Sequence, residues 1–251
     1  MGKIITIHSF RGGTGKTNLS ANIASLLAMI GLRVGLIDTD IQSPGLHVLF
    51  GLNEDGIQNS LNQYVWGKCK IEDAAYDITP SLGDGAEGKL FLVPSSIKAS
   101  DVALILREGY NHAKLGDGLQ RLNEALELDA LIVDTHPGCN DATLLTMALA
   151  DTLGLLLRPD QQDYQGTGVT MRIAQSLEIP KVRIIVNKSP ALFNADMVKQ
   201  KVEDAYKTDV IEVLPHSDEL MALASAAVFV LKYPKDALTR QFKQITKKLI
   251  E

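Results

Sequence analysis

Short apolar runs recur along this chain, separated by stretches of helical length. Lys3–His8, Arg33–Ile37, Lys89–Val93, Ala130–Val133, Thr152–Leu157, Val182–Val186 and Val210–Leu214 are near-continuous in apolar character rather than alternating, as expected of strands buried on both faces. Between the first two, Leu19, Ile23, Leu26, Leu27 and Ile30 repeat at helical spacing and stop at Gly31, a residue suited to ending a helix. Near the end, about Lys235 to Ile250, Leu238, Phe242, Ile245 and Leu249 mark one side of a helix while Arg240, Lys243 and Lys247 mark another. The stretch Ile78–Lys89 carries Pro80, Gly83, Gly85 and Gly88 and predicts a surface connection. The alternation of strand and helix predicts an α/β fold. It would be a single doubly wound domain over residues 1–251, with a mostly parallel sheet of about seven to eight strands and helices on both faces.

Sheets of this kind hold ligands at the carboxyl ends of their strands. Those ends read His8-Ser9, Asp38, Pro94, Asp134, Arg158, Asn187 and Pro215, a polar and irregular set after apolar runs. The first is the most informative. Lys3–His8 runs into Ser9-Phe10-Arg11-Gly12-Gly13-Thr14-Gly15-Lys16-Thr17 and then into the first helical pattern. Gly12, Gly13 and Gly15 permit backbone angles closed to other residues and leave room for an oxygen-rich ligand near the main chain. The amides so presented, the positive end of the following helix and the Lys16 ammonium replace water around a polyphosphate, and the Thr17 hydroxyl suits Mg²⁺. Thr14 and Asn18 complete the candidate nucleotide contacts.

Composition narrows the class without naming a function. At 251 residues, 45% hydrophobic and 22% charged, the chain fits an ordinary globule. A net charge of −5 gives no global attraction to DNA or anionic lipid. Cys69 and Cys139 are too few for a disulfide framework and carry no metal signature. The apolar stretches Leu26–Ile37 and Leu144–Leu157 are interrupted by Arg33 and Asp151 and fall short of the roughly 18 residues a membrane span needs. The chain enters a strand at Lys3 without a charged leader and cleavage site, which argues against export. The expected location is therefore cytoplasmic, with nucleoid association if DNA is bound.

The loop departs from the usual GxxxxGK[ST] pattern, because Phe10 occupies the first glycine position and Arg11 precedes GGTGKT. Here the chain resembles the deviant-Walker ATPases of the ParA/MinD family, whose loop reads KGGxGK[ST]. The resemblance implies a P-loop NTPase of the SIMIBI type that binds ATP or ADP with Mg²⁺ and dimerises around ATP. It also implies that Arg11, in place of the family's lysine, reaches the partner's nucleotide. Arginine keeps the charge and adds a planar fork, yet it is bulkier and not interchangeable with lysine.

Further motifs follow in family order. Leu36-Ile37-Asp38-Thr39-Asp40 resembles the first switch, which implies that Asp38 holds Mg²⁺ through water and Asp40 orients the attacking water. An aspartate at a strand end is ordinary by itself; the pair behind a phosphate loop is the functional signal. Leu131-Ile132-Val133-Asp134 supplies a second acid for the metal. Asp134-Thr135-His136-Pro137-Gly138 resembles the second switch, with His136 where a proline is common. A packed or solvated side chain is the ordinary reading of that histidine and a pH-sensitive contact the other. Asn187 ends a strand with an amide suited to a base edge, and the family uses it on adenine. A guanine grip would need an aspartate two residues after Lys188, where Pro190 stands, so ATP is favoured over GTP. Pro215 belongs to a later loop that resembles the family's adenine-facing loop, with a helix cap at Ser217 or Asp218 as the compatible structural reading.

Arg158, Asp160 and Gln161 follow a buried strand and are open to two readings, contacts across a dimer or a loop capping the next helix. The terminal helix is likewise either a core-packing element with a wet face or a basic surface for nonspecific contact with DNA phosphates. The resemblance implies a switch that positions or partitions a cellular cargo, with slow hydrolysis stimulated by an activating or cargo-adaptor protein. With the chain stopping one residue after Ile250, no amphipathic tail is expected to anchor it to a membrane. Two rival classes remain: a nucleotide-dependent adaptor with little hydrolysis, and a metabolic or redox enzyme on the same scaffold. The latter would resemble the nitrogenase iron protein or the biotin-pathway synthetase.

Overall fold

The computed structural model describes residues 1–251. Its strands are β1 (Lys3–His8), β2 (Arg33–Asp38), β3 (Tyr76–Asp77), β4 (Lys89–Val93), β5 (Ala130–Asp134), β6 (Thr152–Leu157), β7 (Val182–Ser189) and β8 (Val210–Pro215). They form one sheet in the order β3-β4-β2-β5-β1-β6-β7-β8. All neighbours are parallel except β3 and β4. Helix α1 (Lys16–Met29) follows β1; α2 (Leu46–Leu49) and α3 (Leu61–Val65) follow β2; α4 (Ala99–Glu108) and α5 (His112–Ala125) follow β4. Then α6 (Asp141–Ala148), α7 (Gln161–Ser176) and α8 (Ala195–Tyr206) follow β5, β6 and β7 in turn. After β8 come α9 (Asp218–Ala222), α10 (Phe229–Lys232) and α11 (Ala237–Ile250).

The continuous apolar strands are explained by cover on both faces. Ile5, Ile7, Leu36, Ile132 and Leu156 pack with α1, α10 and α11 through Leu27, Phe229, Phe242 and Leu249. The opposite face, including Ile4, Ile37 and Val133, meets α5 through Leu115, Leu119 and Leu122, and Leu155, Leu157 and Ile184 meet α7 and α8 through Met171 and Val202. Helix α1 is buried almost all round, with Ala21, Ala24 and Ala28 at no measurable exposure, so its small residues allow close approach to the sheet. Ile30, expected in its buried stripe, lies past the helix end and is 68% exposed. In α11, Asp236 caps the first turn by accepting the Leu238 amide, so the helix starts slightly later than the pattern suggested.

Strands β2, β5, β7 and β8 run past the last apolar residue of each predicted run. At β2 and β5 the ladder reaches the acid itself, and the register sets Asp38 directly beside Asp134. Strand β3 was not foreseen, since two residues give no periodicity to read. The connection after it is more than a surface loop: Thr79–Leu82 forms a 3-10 turn that buries Leu82.

Candidate functional site

Strand β1 is flanked by β5 on one side and β6 on the other, and the segment after it crosses the carboxyl edge at the centre of the sheet. Gly13 and Gly15 take left-handed backbones at φ of 74° and 101°, which turns the chain so that Gly15 caps α1 without a side chain. None of the main-chain amides from Gly12 to Asn18 makes a hydrogen bond within the chain. A run of unpaired donors at a helix start is a cradle for an anion. The Lys16 ammonium folds over it and donates to Ser9 Oγ at 3.1 Å, and Thr14 donates to the same oxygen at 2.9 Å. Burial pushes the Lys16 pKa down while Asp134 and Asp40 pull it up.

Phe10, the residue that breaks the usual motif, has a packing role: a Cβ on Gly166 of α7 would lie 2.0 Å from its ring. The phenyl thus sits against the helix backbone at a position only glycine allows. Arg11, beside it, is half exposed and pairs with Asp160 at 3.5 Å and Asp163 at 3.4 Å. Arg158 holds the same two carboxylates at 3.2 Å each. Asp160 also caps α7 by accepting the Gln162 and Asp163 amides, so the capping reading of that cluster is present; Gln161 opens the helix.

The acids converge on the cradle. Asp134 is fully buried; Ser20 donates to its Oδ1 at 3.0 Å, while its Oδ2 has no partner in good hydrogen-bond geometry, the Thr17 hydroxyl standing nearby. Asp38, also fully buried, accepts the Asp40 amide on Oδ1 and the Gly45 and Leu46 amides on Oδ2. Burial raises the pKa of Asp134, opposed by Thr17, Lys16 and Ser20. Burial, and then the neighbouring Asp134, raise that of Asp38. Two carboxyls forced together out of water disfavour each other's charge, and a dication beside them would reverse that preference. The orphaned Asp134 Oδ2 and the Thr17 hydroxyl fit Mg²⁺, which on a polyphosphate needs few protein ligands. Asp38 fits less directly, because both oxygens already fasten the loop from Asp40 to Leu46.

Asp40, at the start of that loop, takes the Ser43 amide at 3.1 Å and His136 Nδ1 at 2.7 Å on Oδ1. Nothing in the spacing of the two residues signalled this contact. Behind them, His8 is buried with Nδ1 2.7 Å from Thr135 Oγ1, and Thr135 donates to the Ile7 carbonyl. Burial, then the charges of Lys16 and His136, lower the His8 pKa to about 3.

On the far side of Gly15 lies a cavity of about 390 Å³, lined among others by Asn18, Asn187, Leu220, Met221 and Ser225. Asn187 Nδ2 donates to the Thr14 carbonyl at 2.7 Å, and Lys188 Nζ to the Gly13 carbonyl at 2.8 Å. Lys188, Ala224 and Ser225 all have left-handed backbones without being glycine, a strain that clusters at functional sites. Sequence reasoning missed Lys188, Met221 and Ser225 as lining; the NK pair was the available signal for Lys188. Pro215 stands exposed at the end of β8, outside this lining, while Ser217 caps α9 by accepting the Leu220 amide. A cavity of about 720 Å³ between α1 and α11 is mainly apolar, with Lys243 and Lys247 at its edge; it lacks the convergent polar groups of the first. Arg240, Lys243 and Lys247 are exposed while the apolar side of α11 is buried. No helix is long and apolar enough to cross a membrane. Cys69 is half-buried and Cys139 exposed, both free.

The family model described as ParA, NUBPL iron-transfer P-loop NTPase, matches residues 1–250. An uncharacterised ATP-binding protein of Methanocaldococcus jannaschii is 29% identical over 98% of this chain and 87% of its own length. The septum site-determining protein MinD of Bacillus subtilis is 25% identical over 100% and 90%. In fold, the chain resembles MinD of Pyrococcus horikoshii, solved with Mg-ADP, at a TM-score of 0.81 and 19% identity, with 99% and 96% of the two chains covered.

Proposed function

The chain belongs to the ParA family of P-loop NTPases, and from that premise we propose that it is a Mg²⁺-dependent ATPase acting as a spatial-positioning or partitioning switch. Two copies close around ATP, hydrolyse it slowly under stimulation by an adaptor or cargo protein, and part. The observation that carries the reading is the run of unpaired amides from Gly12 to Asn18 facing a buried carboxylate with one oxygen unsatisfied. A buried carboxylate oxygen without a partner is costly, and amides massed at a helix start attract an anion; a triphosphate and its cation would satisfy both.

The roles follow from placement. The amides of Gly12, Gly13, Thr14, Gly15 and Lys16 hold phosphate oxygens, and the Lys16 ammonium neutralises charge that grows as the terminal phosphoryl leaves. Thr17 and Asp134 would hold Mg²⁺, with Asp38 fixing the loop that carries Asp40. Bound there, Mg²⁺ would offset the negative charge of the polyphosphate. Asp40 orients the water. Asn18 and Asn187 border the base, beside the exposed loop at Pro215. Arg11 leaves its aspartates to meet the partner's phosphates. Nonspecific DNA on Arg240, Lys243 and Lys247 is the proposed track, and the location follows as cytoplasm or nucleoid.

Sedimentation with ATP, ADP or no nucleotide, each with and without nonspecific DNA, tests the reading together with ATP turnover. A dimer formed only with ATP and lost in Arg11→Ala is expected, with monomeric nucleotide binding retained. A monomer under all conditions would end the switch. A dimer that never turns over ATP, even with DNA present, would favour the adaptor. A second reading, iron transfer, draws on the family description and on the exposed Cys139; iron-free, colourless purified protein would remove it.

A further inference from the structure

His136 sits between two anchors on the central strand and the phosphate loop. One residue before it, the Thr135 hydroxyl donates to the Ile7 carbonyl at 2.9 Å and meets His8 Nδ1 at 2.7 Å. Two residues after it, the Gly138 amide donates to the Ser9 carbonyl at 3.2 Å. A Cβ on Gly12 would lie 3.8 Å from the Pro137 ring, so the intervening residue also borders the loop. The backbone carrying the imidazole is thus fixed in the frame of the phosphate cradle. Asp40 is carried differently, at the start of a loop whose root is Asp38, with its own amide and those of Gly45 and Leu46 held by the Asp38 carboxylate.

The imidazole joins the two. His136 Nδ1 stands 2.7 Å from Asp40 Oδ1, with both side chains mostly shielded from solvent. A carboxylate only accepts, so Nδ1 carries the proton in this contact. Both side-chain bonds of Asp40, from His136 and from the Ser43 amide, fall on Oδ1. That leaves Oδ2 without a hydrogen-bond partner in the chain. An aspartate side chain has two rotatable bonds and two equivalent oxygens; fastening one oxygen to a rigid donor removes most of that freedom.

We infer that His136 is the positioning residue for Asp40: it fixes one carboxylate oxygen in the frame of the phosphate loop so that the other is presented to the attacking water. This rests on the ATPase reading given above and deepens it, since it makes hydrolysis depend on a contact between the two switch segments.

The test compares wild type with His136→Ala, His136→Asn, Asp40→Asn and the Asp40→Asn/His136→Ala pair, reading kcat, KM for ATP and the affinity for a fluorescent ADP analogue. Loss of a charge-assisted hydrogen bond corresponds to roughly a ten- to hundredfold change. His136→Ala is expected to lower kcat by that amount with KM and ADP affinity within about twofold. His136→Asn, whose amide nitrogen overlays Nδ1, should restore most of the loss. The pair should be no slower than Asp40→Asn alone, because a positioning group has nothing left to position. Nitrogen NMR of the histidines supplies a readout apart from turnover: Nδ1 of His136 should be protonated in wild type and lose its shifted signal in Asp40→Asn. Unchanged kcat in His136→Ala, a rise in kcat, or equal loss in the Ala and Asn variants would each overturn the inference. Wild type that binds ADP yet shows no turnover would instead overturn the hydrolytic reading, and the positioning role with it.

Discussion

In the proposed ATP site, the phosphate side and the base side of the cleft are built on opposite plans. On the phosphate side, buried polar groups hold one another: Lys16 on Ser9, Thr14 on Ser9, Ser20 on Asp134, His8 on Thr135. On the base side, Leu19, Leu220, Met221, Ala224 and Phe242 form much of the wall, and Met221 is 58% exposed. Recognition of concentrated charge requires donors fixed in advance in a dry setting, which only a bound anion and cation fully satisfy. Recognition of a flat, mostly apolar ring is satisfied by shape and cover, so mobile apolar side chains serve. The two plans meet at Gly15 and Asn187.

The sharpest expected contrast lies in pH. The phosphate side holds buried titratable groups, whereas the base side holds none that is buried. His8, lowered to about 3 from the usual 6.5, stays neutral in the folded chain where the unfolded chain takes a proton. Its contribution is complete above pH 6.5 and is lost as pH falls from there towards 3. Asp38 and Asp134, raised by burial, act with the opposite sign, retaining protons in the folded state as pH rises past the ordinary carboxylate range. A His8→Gln variant keeps both acids and so isolates the histidine. In nucleotide-free protein, wild-type stability measured by urea unfolding should fall relative to His8→Gln by roughly 1.4 kcal/mol per pH unit between pH 6 and 4. Parallel curves would mean that His8 is not held neutral.

Next in size is the junction. A Cβ on Gly15 would stand 2.5 Å from Asn187 Nδ2, on a backbone with φ of 101°. Gly15→Ala therefore strains both sides of the cleft, and ATP affinity by calorimetry should fall roughly ten- to thirtyfold, using about 1–2 kcal/mol for a left-handed non-glycine residue. Adding Asn187→Ala should recover part of that loss by removing the clash. Normal affinity in Gly15→Ala would separate the two sides.

The same division decides what the sequence made legible. The cradle was readable because its donors come from consecutive residues, Gly12 to Asn18, and its context is a strand followed by a helix. Asp38 and Asp134 were readable as polar residues ending apolar runs, and the parallel sheet with helices on both faces followed from those runs. The contact of Asp40 with His136 spans 96 positions, and that of Lys188 with the Gly13 carbonyl spans 175; no local pattern encodes either. The base wall draws on the short helix α9 and on left-handed Ala224 and Ser225, whose conformations run against residue preference. Phe10 looked like a defect in the motif until Gly166 supplied the surface it covers.

Smaller still is the effect expected of Asn187 alone. Its amide spends one hydrogen on the Thr14 carbonyl and its oxygen on the Lys188 amide, so it stiffens the loop as well as bordering the base. Asn187→Ala should weaken ATP and ADP equally, by about fivefold, the size of one ordinary hydrogen bond. A selective loss for ATP over ADP would place its effect on the terminal phosphate instead, and the two plans would no longer be separable there.

Met221 should matter least, and that smallness is what the contrast requires. It sits on α9, none of whose residues is fully buried and whose first turn is capped by Ser217. A side chain already 58% exposed gains little further shelter from a ring laid beside it, and its three rotatable bonds must be ordered to give that shelter. Surface substitutions of this kind fall within about 0.5 kcal/mol, so Met221→Ala should change ADP affinity by roughly twofold or less. Leu220, packed from the same helix against the main core, should cost stability when shortened to alanine while affecting affinity only through the displaced helix. If Met221→Ala instead weakened ADP tenfold, the base wall would be as preorganised as the cradle, and shape with mobile cover would not describe it.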